Sequence, residues 1–149
     1  EKAMAGGGIS INYGAHSLDK ICYLTQSDIA WATGSCTYLQ PGTDVDGSAQ
    51  MLLRTSSGIS ASISLCGYSV VPIDETMLFF ANGSLRLHTG SDLSVTCGIG
   101  YETVDTSSYP NAFEAQWADF ISGVRAGRIL YCDGTYGASI VRTIELLYH

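Results

Sequence analysis

Residues 5–19 read Ala-Gly-Gly-Gly-Ile-Ser-Ile-Asn-Tyr-Gly-Ala-His-Ser-Leu-Asp, and no other stretch says as much about the fold. Three glycines lead into a short apolar segment, and polar side chains follow at Asn12, His16 and Asp19. This order predicts a junction between a strand and a helix. A glycine-rich backbone there lets a ligand approach closely, and an imidazole titrates near neutral pH. The stretch is therefore a candidate site of proton transfer.

The composition argues against two classes of partner. Seven Lys and Arg residues stand against 14 Asp and Glu residues, which gives a net charge of −7, and the basic residues are scattered singly. Nucleic acids and anionic membranes are bound by clustered basic residues, so neither is an expected partner. No apolar run approaches the ~18–20 residues of a membrane-spanning helix. A chain of 149 residues suits one domain with a proper core.

The sequence also predicts the state of its metal-ligating and sulfur-containing side chains. It holds five cysteines: Cys22, Cys36, Cys66, Cys97 and Cys132. The number is odd and no Cys-x-x-Cys pair occurs, which favours buried free thiols in a reducing, cytoplasmic compartment. The three histidines, His16, His88 and His149, are too widely spaced to predict a metal site. Asp44-x-Asp46-Gly47 resembles a calcium loop only superficially, because no further acidic ligands follow in register.

The middle of the chain predicts antiparallel strands. Segments 50–55 and 59–66 flank a Ser-Ser-Gly turn, and in the second of them small polar residues alternate with apolar ones. A second hairpin is expected between segments 76–81 and 84–88, with a type I′ turn at Asn82-Gly83. One or two more strands are expected within residues 92–104. Because Met77–Phe80 is apolar on both faces, we expect a partner subunit to cover one of them, giving a homo-oligomer through the sheet.

Helices are predicted at both ends of the chain. Apolar spacing indicates one helix over residues 13–24. A second begins at the cap Asn111, with Glu114 three residues on, and ends near Gly127. A third covers residues 135–148 behind Asp133, with four apolar side chains pointing inward: Ile140, Val141, Ile144 and Leu147. The expected fold is α+β, with an open, mainly antiparallel sheet and helices packed on one face.

The opening stretch resembles the signature that begins the second domain of the Gfo/Idh/MocA family of nicotinamide-dependent oxidoreductases. The family pattern is Gly-Gly-Gly, a few apolar residues, then Asp-x-Gly-x-His-x-x-Asp. This chain matches it at Gly6–Gly8, Gly14, His16 and Asp19, with Asn12 in place of the aspartate. Further similarity extends over the rest of the chain, at segments 57–63, 83–87, 113–127 and 133–134. We refer to residues 6–19 as the signature segment.

The resemblance implies a function and a role for each signature residue. It implies the substrate-binding and oligomerisation domain of an NAD- or NADP-dependent oxidoreductase acting on a sugar, polyol or cyclitol. His16 and Asn12 are then the catalytic candidates: His16 takes the substrate's hydroxyl proton, and Asn12 lies beside it. Tyr13 and Asp19 are substrate-binding candidates. In the family the nicotinamide is held by a preceding Rossmann domain. No Gly-x-Gly-x-x-Gly unit occurs in this sequence, so residues 1–149 are expected to form the second domain alone, inactive and without cofactor.

Two alternatives stay open at this point. Asparagine keeps a hydrogen bond to the imidazole but contributes no charge to stabilise its protonated form. The chain is then either a member with altered chemistry or a non-catalytic binding or dimerisation module. Asp19, one turn after His16, is equally well explained as a hydrogen-bond partner of the imidazole and as a solvated helix residue.

Overall fold

The computed structural model describes residues 2–38, 42–68 and 70–148. The helices and strands, in chain order, are α1 Lys2–Ala5, a π-helix Ser10–Gly14, α2 Ala15–Thr25, β1 Ile29–Thr37, β2 Ser48–Thr55, β3 Ser60–Cys66, β4 Glu75–Phe80, β5 Gly83–His88, β6 Asp92–Thr96, β7 Glu102–Val104, α3 Ala112–Ala126, α4 Gly134–Glu145 and a 3-10 helix Leu146–Tyr148. The chain divides into two compact units, Glu1–Ser69 with Tyr131–His149, and Val70–Leu130. Every strand pairing is antiparallel, so the predicted α+β class is confirmed.

The first unit is a three-stranded sheet, in the order β1-β2-β3, with helices on one face. Alternate residues of β2 and β3 point into the core, which confirms the alternation predicted for residues 59–66. The core is formed by side chains of α2, β2, β3, α4 and the 3-10 helix: Leu18, Cys22, Ala49, Met51, Leu53, Ile63, Leu65, Ile140, Ile144 and Leu147. Val141 was expected to point inward; it is exposed instead, because it lies beyond the edge of the stripe that Ile140 and Ile144 form on α4.

The second unit contains a four-stranded sheet in the order β4-β5-β6-β7, with α3. Across three strands of this sheet, the ring of His88 bonds to Glu75 through Nε2 (2.7 Å) and to Asp92 through Nδ1 (2.9 Å). The hydrogen bonds to Asp92 and Glu75 raise the pKa of His88 above its usual range. Phe79 and Phe80, on opposite faces of β4, are 76% and 59% exposed, so neither face of the apolar segment 77–80 is fully covered within the described chain.

The hairpin between β4 and β5 was predicted one residue out of register. Phe80 pairs with Gly83, so the two-residue loop is Ala81-Asn82 rather than Asn82-Gly83. Neither loop residue has a positive φ, which a type I′ turn would require at both positions. Gly83 has a different purpose, since a Cβ at this position would collide with the backbone oxygen of Thr96 on β6.

The predicted caps of the later helices are confirmed. The Asn111 side chain accepts a hydrogen bond from the Phe113 amide (2.9 Å), and α3 ends at Gly127 in a left-handed conformation. Asp133 accepts a hydrogen bond from the Tyr136 amide (2.8 Å) at the start of α4. These bonds satisfy amides that helix starts leave unpaired. No helix in the described ranges combines the length and the apolar character needed to span a membrane.

Candidate functional site

Residues 10–14 of the signature segment form a π-helix that continues directly into α2. Gly14 and Ala15, at the junction, both have right-handed helical backbone angles, so the two helices form one continuous element. The predicted strand before the helix is therefore absent, and α1 and a bend precede the π-helix instead. A π-helical turn is rare and costs stability, and such turns are frequent at functional sites.

Three of the four predicted site residues lie on the exposed side of this element. Asn12, Tyr13 and His16 are all exposed, with Tyr13 at 61%. His16 lies four residues after Asn12 and three after Tyr13, so it is one helical turn beyond both. Neither the His16 imidazole nor the Asn12 amide side chain has a hydrogen-bond partner among residues 2–38, 42–68 and 70–148. A ligand that approaches this surface therefore meets a phenol, an amide and an imidazole.

The glycines of the segment are needed for contacts within the protein. A Cβ on Gly8 would collide with the backbone of Asp46, and a Cβ on Gly7 would lie 2.7 Å from both Ile11 Cγ1 and Tyr148 Oη. Gly14 faces the core, with Met51 Cε 3.1 Å from a Cβ built there. The sequence predicted that these glycines admit a ligand; at these positions the close neighbours are side chains and backbone of the same unit.

Asp46 binds the start of the signature segment. Its Oδ1 accepts a hydrogen bond from the Gly8 amide (2.9 Å), its backbone oxygen one from the Ile9 amide (3.0 Å), and its Oδ2 one from the Ser10 amide (2.8 Å). Ser10 Oγ also donates to Oδ2 (2.7 Å), and Tyr148 Oη donates to Oδ1 (2.6 Å). One residue thus satisfies three consecutive amides that the π-helix leaves unpaired.

The electrostatics of Asp46 follow from these bonds. The side chain is buried, with 3% of the residue exposed, and burial alone would raise its pKa. The hydrogen bonds from Tyr148, from the Ser10 hydroxyl and from the amides of Ser10 and Gly8 outweigh burial, and the pKa of Asp46 is lowered. Burial and the Asp46 carboxylate together raise the pKa of Tyr148, so its hydroxyl keeps its proton and remains a donor.

Asp19, the fourth predicted site residue, is held by the last helix. Tyr136 Oη on α4 donates to Asp19 Oδ1 on α2 (2.6 Å). Burial and this hydrogen bond raise the pKa of Tyr136, which therefore remains a donor at all physiological pH values. Neither explanation left open by the sequence describes this arrangement, since Asp19 is bonded neither to His16 nor only to solvent. Its carboxylate joins α2 to α4 one turn beyond His16.

The amides at the start of the π-helix are not available to the phosphates of a nicotinamide cofactor. Anions bind where consecutive backbone amides point outward at a helix start. The amides of Gly8, Ile9 and Ser10 have that arrangement, but Asp46 occupies all three and adds a negative charge. Across the described ranges, no group of three or more His, Cys, Asp or Glu side chains is arranged to hold a metal ion. All five cysteines are free thiols, but the prediction that they are buried holds only for Cys22, because Cys36 is half-buried and Cys66, Cys97 and Cys132 are exposed.

Comparison with protein families identifies the chain. The model of the GFO/IDH/MocA C-terminal domain matches residues 1–86. This range includes the signature segment, Asp46, strands β1 to β4 and most of β5. This chain belongs to that family. No curated protein matches the sequence of this GFO/IDH/MocA C-terminal domain.

Solved structures share the fold of this GFO/IDH/MocA C-terminal domain at low sequence identity. The aldose-aldose oxidoreductase from Caulobacter crescentus, complexed with glycerol, has a TM-score of 0.87 and 21% identity over 99% of this chain and 46% of that chain. Levoglucosan dehydrogenase, in complex with NADH and L-sorbose, has a TM-score of 0.87 and 15% identity over 99% and 50%. UDP-N-acetylglucosamine 3-dehydrogenase from Acidithiobacillus ferrooxidans has a TM-score of 0.75 and 19% identity over 89% and 44%. The chain therefore spans about half the length of the structures it matches.

Sequence reasoning missed two residues that organise the site of this GFO/IDH/MocA C-terminal domain. Asp46 was considered only as part of a poor calcium loop, and Tyr148 only as the end of a helix. The contacts of Asp46 with Gly8 and Tyr148 span 38 and 102 residues, so no local pattern could reveal them. The glycine run was the one sequence feature that pointed to these contacts, because glycines before a helix indicate that another group approaches the backbone closely. The sequence did not show that this group is Asp46.

Proposed function

We propose that this chain is the substrate-binding domain of an oxidoreductase that uses NAD or NADP and acts on a sugar, polyol or cyclitol. The observation that carries the proposal is the exposure of Asn12 and Tyr13 on the π-helix and of His16 in the first turn of α2, in a GFO/IDH/MocA C-terminal domain. Solved proteins of the same fold include sugar-acting enzymes, one of them complexed with NADH and L-sorbose. The substrate class is taken from that similarity.

In this proposal His16 accepts the proton of the substrate hydroxyl that is oxidised. An imidazole suits this role because it takes and returns a proton near neutral pH. Asn12 orients either the imidazole or the substrate through its amide, and Tyr13 contacts the substrate. Asp19 keeps this part of α2 fixed through Tyr136 and offers its second carboxylate oxygen to a substrate hydroxyl. The nicotinamide accepts hydride when it is bound, and its phosphates are held outside this chain, because Asp46 already occupies the amides suited to them.

The test is turnover by the full-length protein with NAD or NADP and a panel of sugars, polyols and cyclitols. We expect His16→Ala to lower kcat by about 10²-fold or more, the range typical of a lost general base. His88→Gln is the matched control, because His88 is bound within the sheet of the second unit. Equal turnover of the wild-type protein and His16→Ala would overturn the role given to His16.

A second candidate is a non-catalytic binding or dimerisation module. Two observations favour it: Asn12 contributes no charge beside His16, and the face of the three-stranded sheet opposite the core is open. On that face Trp31 is 50% exposed and Leu52 is 57% exposed. Burying two large apolar side chains would contribute about 1.5–3 kcal/mol each to an interface.

Two measurements distinguish the candidates. A catalytic protein should gain activity in Asn12→Asp, because a carboxylate stabilises the protonated imidazole. A module that has lost catalysis should show no turnover in the wild-type form. Sedimentation velocity at micromolar concentration tests self-association, with Leu52→Ser against the matched change Leu24→Ser on α2. Dimers that dissociate only in Leu52→Ser would support the sheet as the interface, whereas a wild-type monomer would exclude it.

A further inference from the structure

Backbone hydrogen bonds of the neighbouring residue hold Asp46 in place in the first unit. The residue after it, Gly47, donates its amide to Thr37 O at the end of β1 (2.9 Å) and accepts from the Gly67 amide just beyond β3 (2.8 Å). A Cβ on Gly47 would collide with the Tyr68 ring, so the loop is also closely packed at this point. Asp46 therefore lies on a loop attached to both outer strands of the three-stranded sheet.

Tyr148 fixes the orientation of the Asp46 carboxylate. Its hydroxyl donates to Oδ1, the oxygen that also accepts the Gly8 amide, and the Lys2 ammonium lies 4.4 Å above the centre of its ring. The neighbouring residue, Leu147, is buried in the core and fills space that the absent Cβ of Gly34 leaves on β1. The 3-10 helix that carries Tyr148 is therefore held against the same sheet as the Asp46 loop.

The π-helix of the signature segment begins at the residues that Asp46 binds. Gly8, Ile9 and Ser10 are bound by Asp46, and the helix that carries the exposed site residues continues from Ser10 without a break. A shift at residues 8–10 is consequently transmitted along a continuous helix to Asn12 and His16. Asp46 itself is 3% exposed and is out of reach of a substrate.

We propose that Asp46 and Tyr148 are positioning residues that set the place of Asn12 and His16 relative to the substrate. The inference rests on the proposed function for its catalytic consequence, but the arrangement of the segment is measurable without turnover. Asp46 acts as a negatively charged cap supplied by a distant loop. Tyr148 keeps the carboxylate oxygens of Asp46 in the orientation that accepts hydrogen bonds from both the Gly8 and the Ser10 amides.

The kinetic test uses Tyr148→Phe and Asp46→Asn in the full-length protein. Tyr148→Phe removes one hydroxyl and keeps the ring, and we expect kcat to fall about tenfold with KM within twofold of the wild-type value. Asp46→Asn removes the charge, and we expect kcat to fall about 10²-fold, since a displacement of about 1 Å can cost that much. A loss confined to kcat would indicate a misplaced proton acceptor rather than weaker substrate binding.

Two controls separate positioning from stability. Asp44→Asn changes an exposed carboxylate that accepts a hydrogen bond from the Lys2 amide, and Tyr109→Phe removes an exposed hydroxyl in the second unit; both should keep wild-type kinetics. All rates are compared at a temperature where circular dichroism shows each variant to be fully folded. If Asp46→Asn does not fold, Tyr148→Phe decides the question alone.

A second readout does not depend on activity. In NMR spectra of the full-length protein, Tyr148→Phe should shift the signals of the Asn12 and His16 side chains, and Tyr109→Phe should leave them unchanged. If the wild-type protein oxidises no substrate, the proposed function fails while these spectra still decide whether the pair positions the segment. Wild-type signals at residues 8–16 together with wild-type kcat in Tyr148→Phe would overturn the inference.

Discussion

Replacing Gly8 with alanine should destabilise the protein, and the structure sets the size of the effect. The new Cβ would overlap backbone atoms of Asp46, which cannot swing aside as a flexible side chain could. Two hydrogen bonds must therefore lengthen: the one from the Gly8 amide to Asp46 Oδ1 (2.9 Å) and the one from the Ile9 amide to the Asp46 backbone oxygen (3.0 Å). A hydrogen bond to a charged group contributes about 1.5–3 kcal/mol and a neutral one about 0.5–1.5 kcal/mol. Alanine also restricts the unfolded chain, which offsets about 0.4–1 kcal/mol of this loss, so the net loss is about 1–4 kcal/mol.

The matched control is the same change in a place without neighbours. Gly137 lies within α4, has no positive φ, and a Cβ built on it meets nothing within 4 Å. Alanine is favoured over glycine in a helix by about 0.8–1 kcal/mol, so Gly137→Ala should stabilise the protein. One chemical change is thus expected to have opposite effects at two positions of the same unit.

The assay is urea unfolding followed by circular dichroism, with the free energy of unfolding taken from the midpoint and slope. A Gly8→Ala variant with a lower midpoint than wild type, beside a Gly137→Ala variant with a higher one, would support the close approach of Gly8 to Asp46. The reasoning fails if Gly8→Ala unfolds at or above the wild-type midpoint.

Two further predictions concern the core and the second sheet. Leu18 is fully buried, so Leu18→Ala should lower the free energy of unfolding by about 3–5 kcal/mol. Leu24 on the same helix is 41% exposed, so Leu24→Ala should lower it clearly less. Equal losses in urea unfolding would contradict the packing of α2. Because its pKa is raised, His88 should stabilise the protein fully below the unfolded value of about 6.5, and the contribution should disappear as pH rises through the folded pKa. The difference in Tm between wild type and His88→Gln should therefore shrink from about pH 6 to about pH 9, and a difference that grows with pH would refute the His88 network.

Local sequence patterns predicted the elements whose cause is local. The alternation in residues 59–66 gave β3 its correct faces, because the period of a strand is a property of the strand alone. Asn111 and Asp133 were identified as caps because the amides they bind lie two and three residues away. The family resemblance located the candidate site, and the structure then placed Asn12, Tyr13 and His16 on one exposed stretch of helix.

The predictions failed where a distant part of the chain decides the conformation. The glycine at position 83 indicated a type I′ turn, but its real constraint is the Thr96 backbone on the next strand, so the loop moved by one residue. The strand expected before the helix is absent because Asp46 caps residues 8–10 and allows a π-helix to begin there. Val141 was expected in the core because a helix pattern fixes the apolar stripe only to within a residue at its edge.

The contacts of Asp46 also bear on the order in which a newly made chain acquires its structure. Of these groups Gly8 and Ser10 leave the ribosome first, the carboxylate that binds their amides follows 38 and 36 residues later, and the Tyr148 hydroxyl follows 102 residues after Asp46. Closing loops of these lengths costs chain entropy that a short helical turn does not repay by itself. During synthesis, residues 8–10 therefore remain without their partner until the sheet has formed. The signature segment therefore reaches its final geometry only after residue 148 has been added.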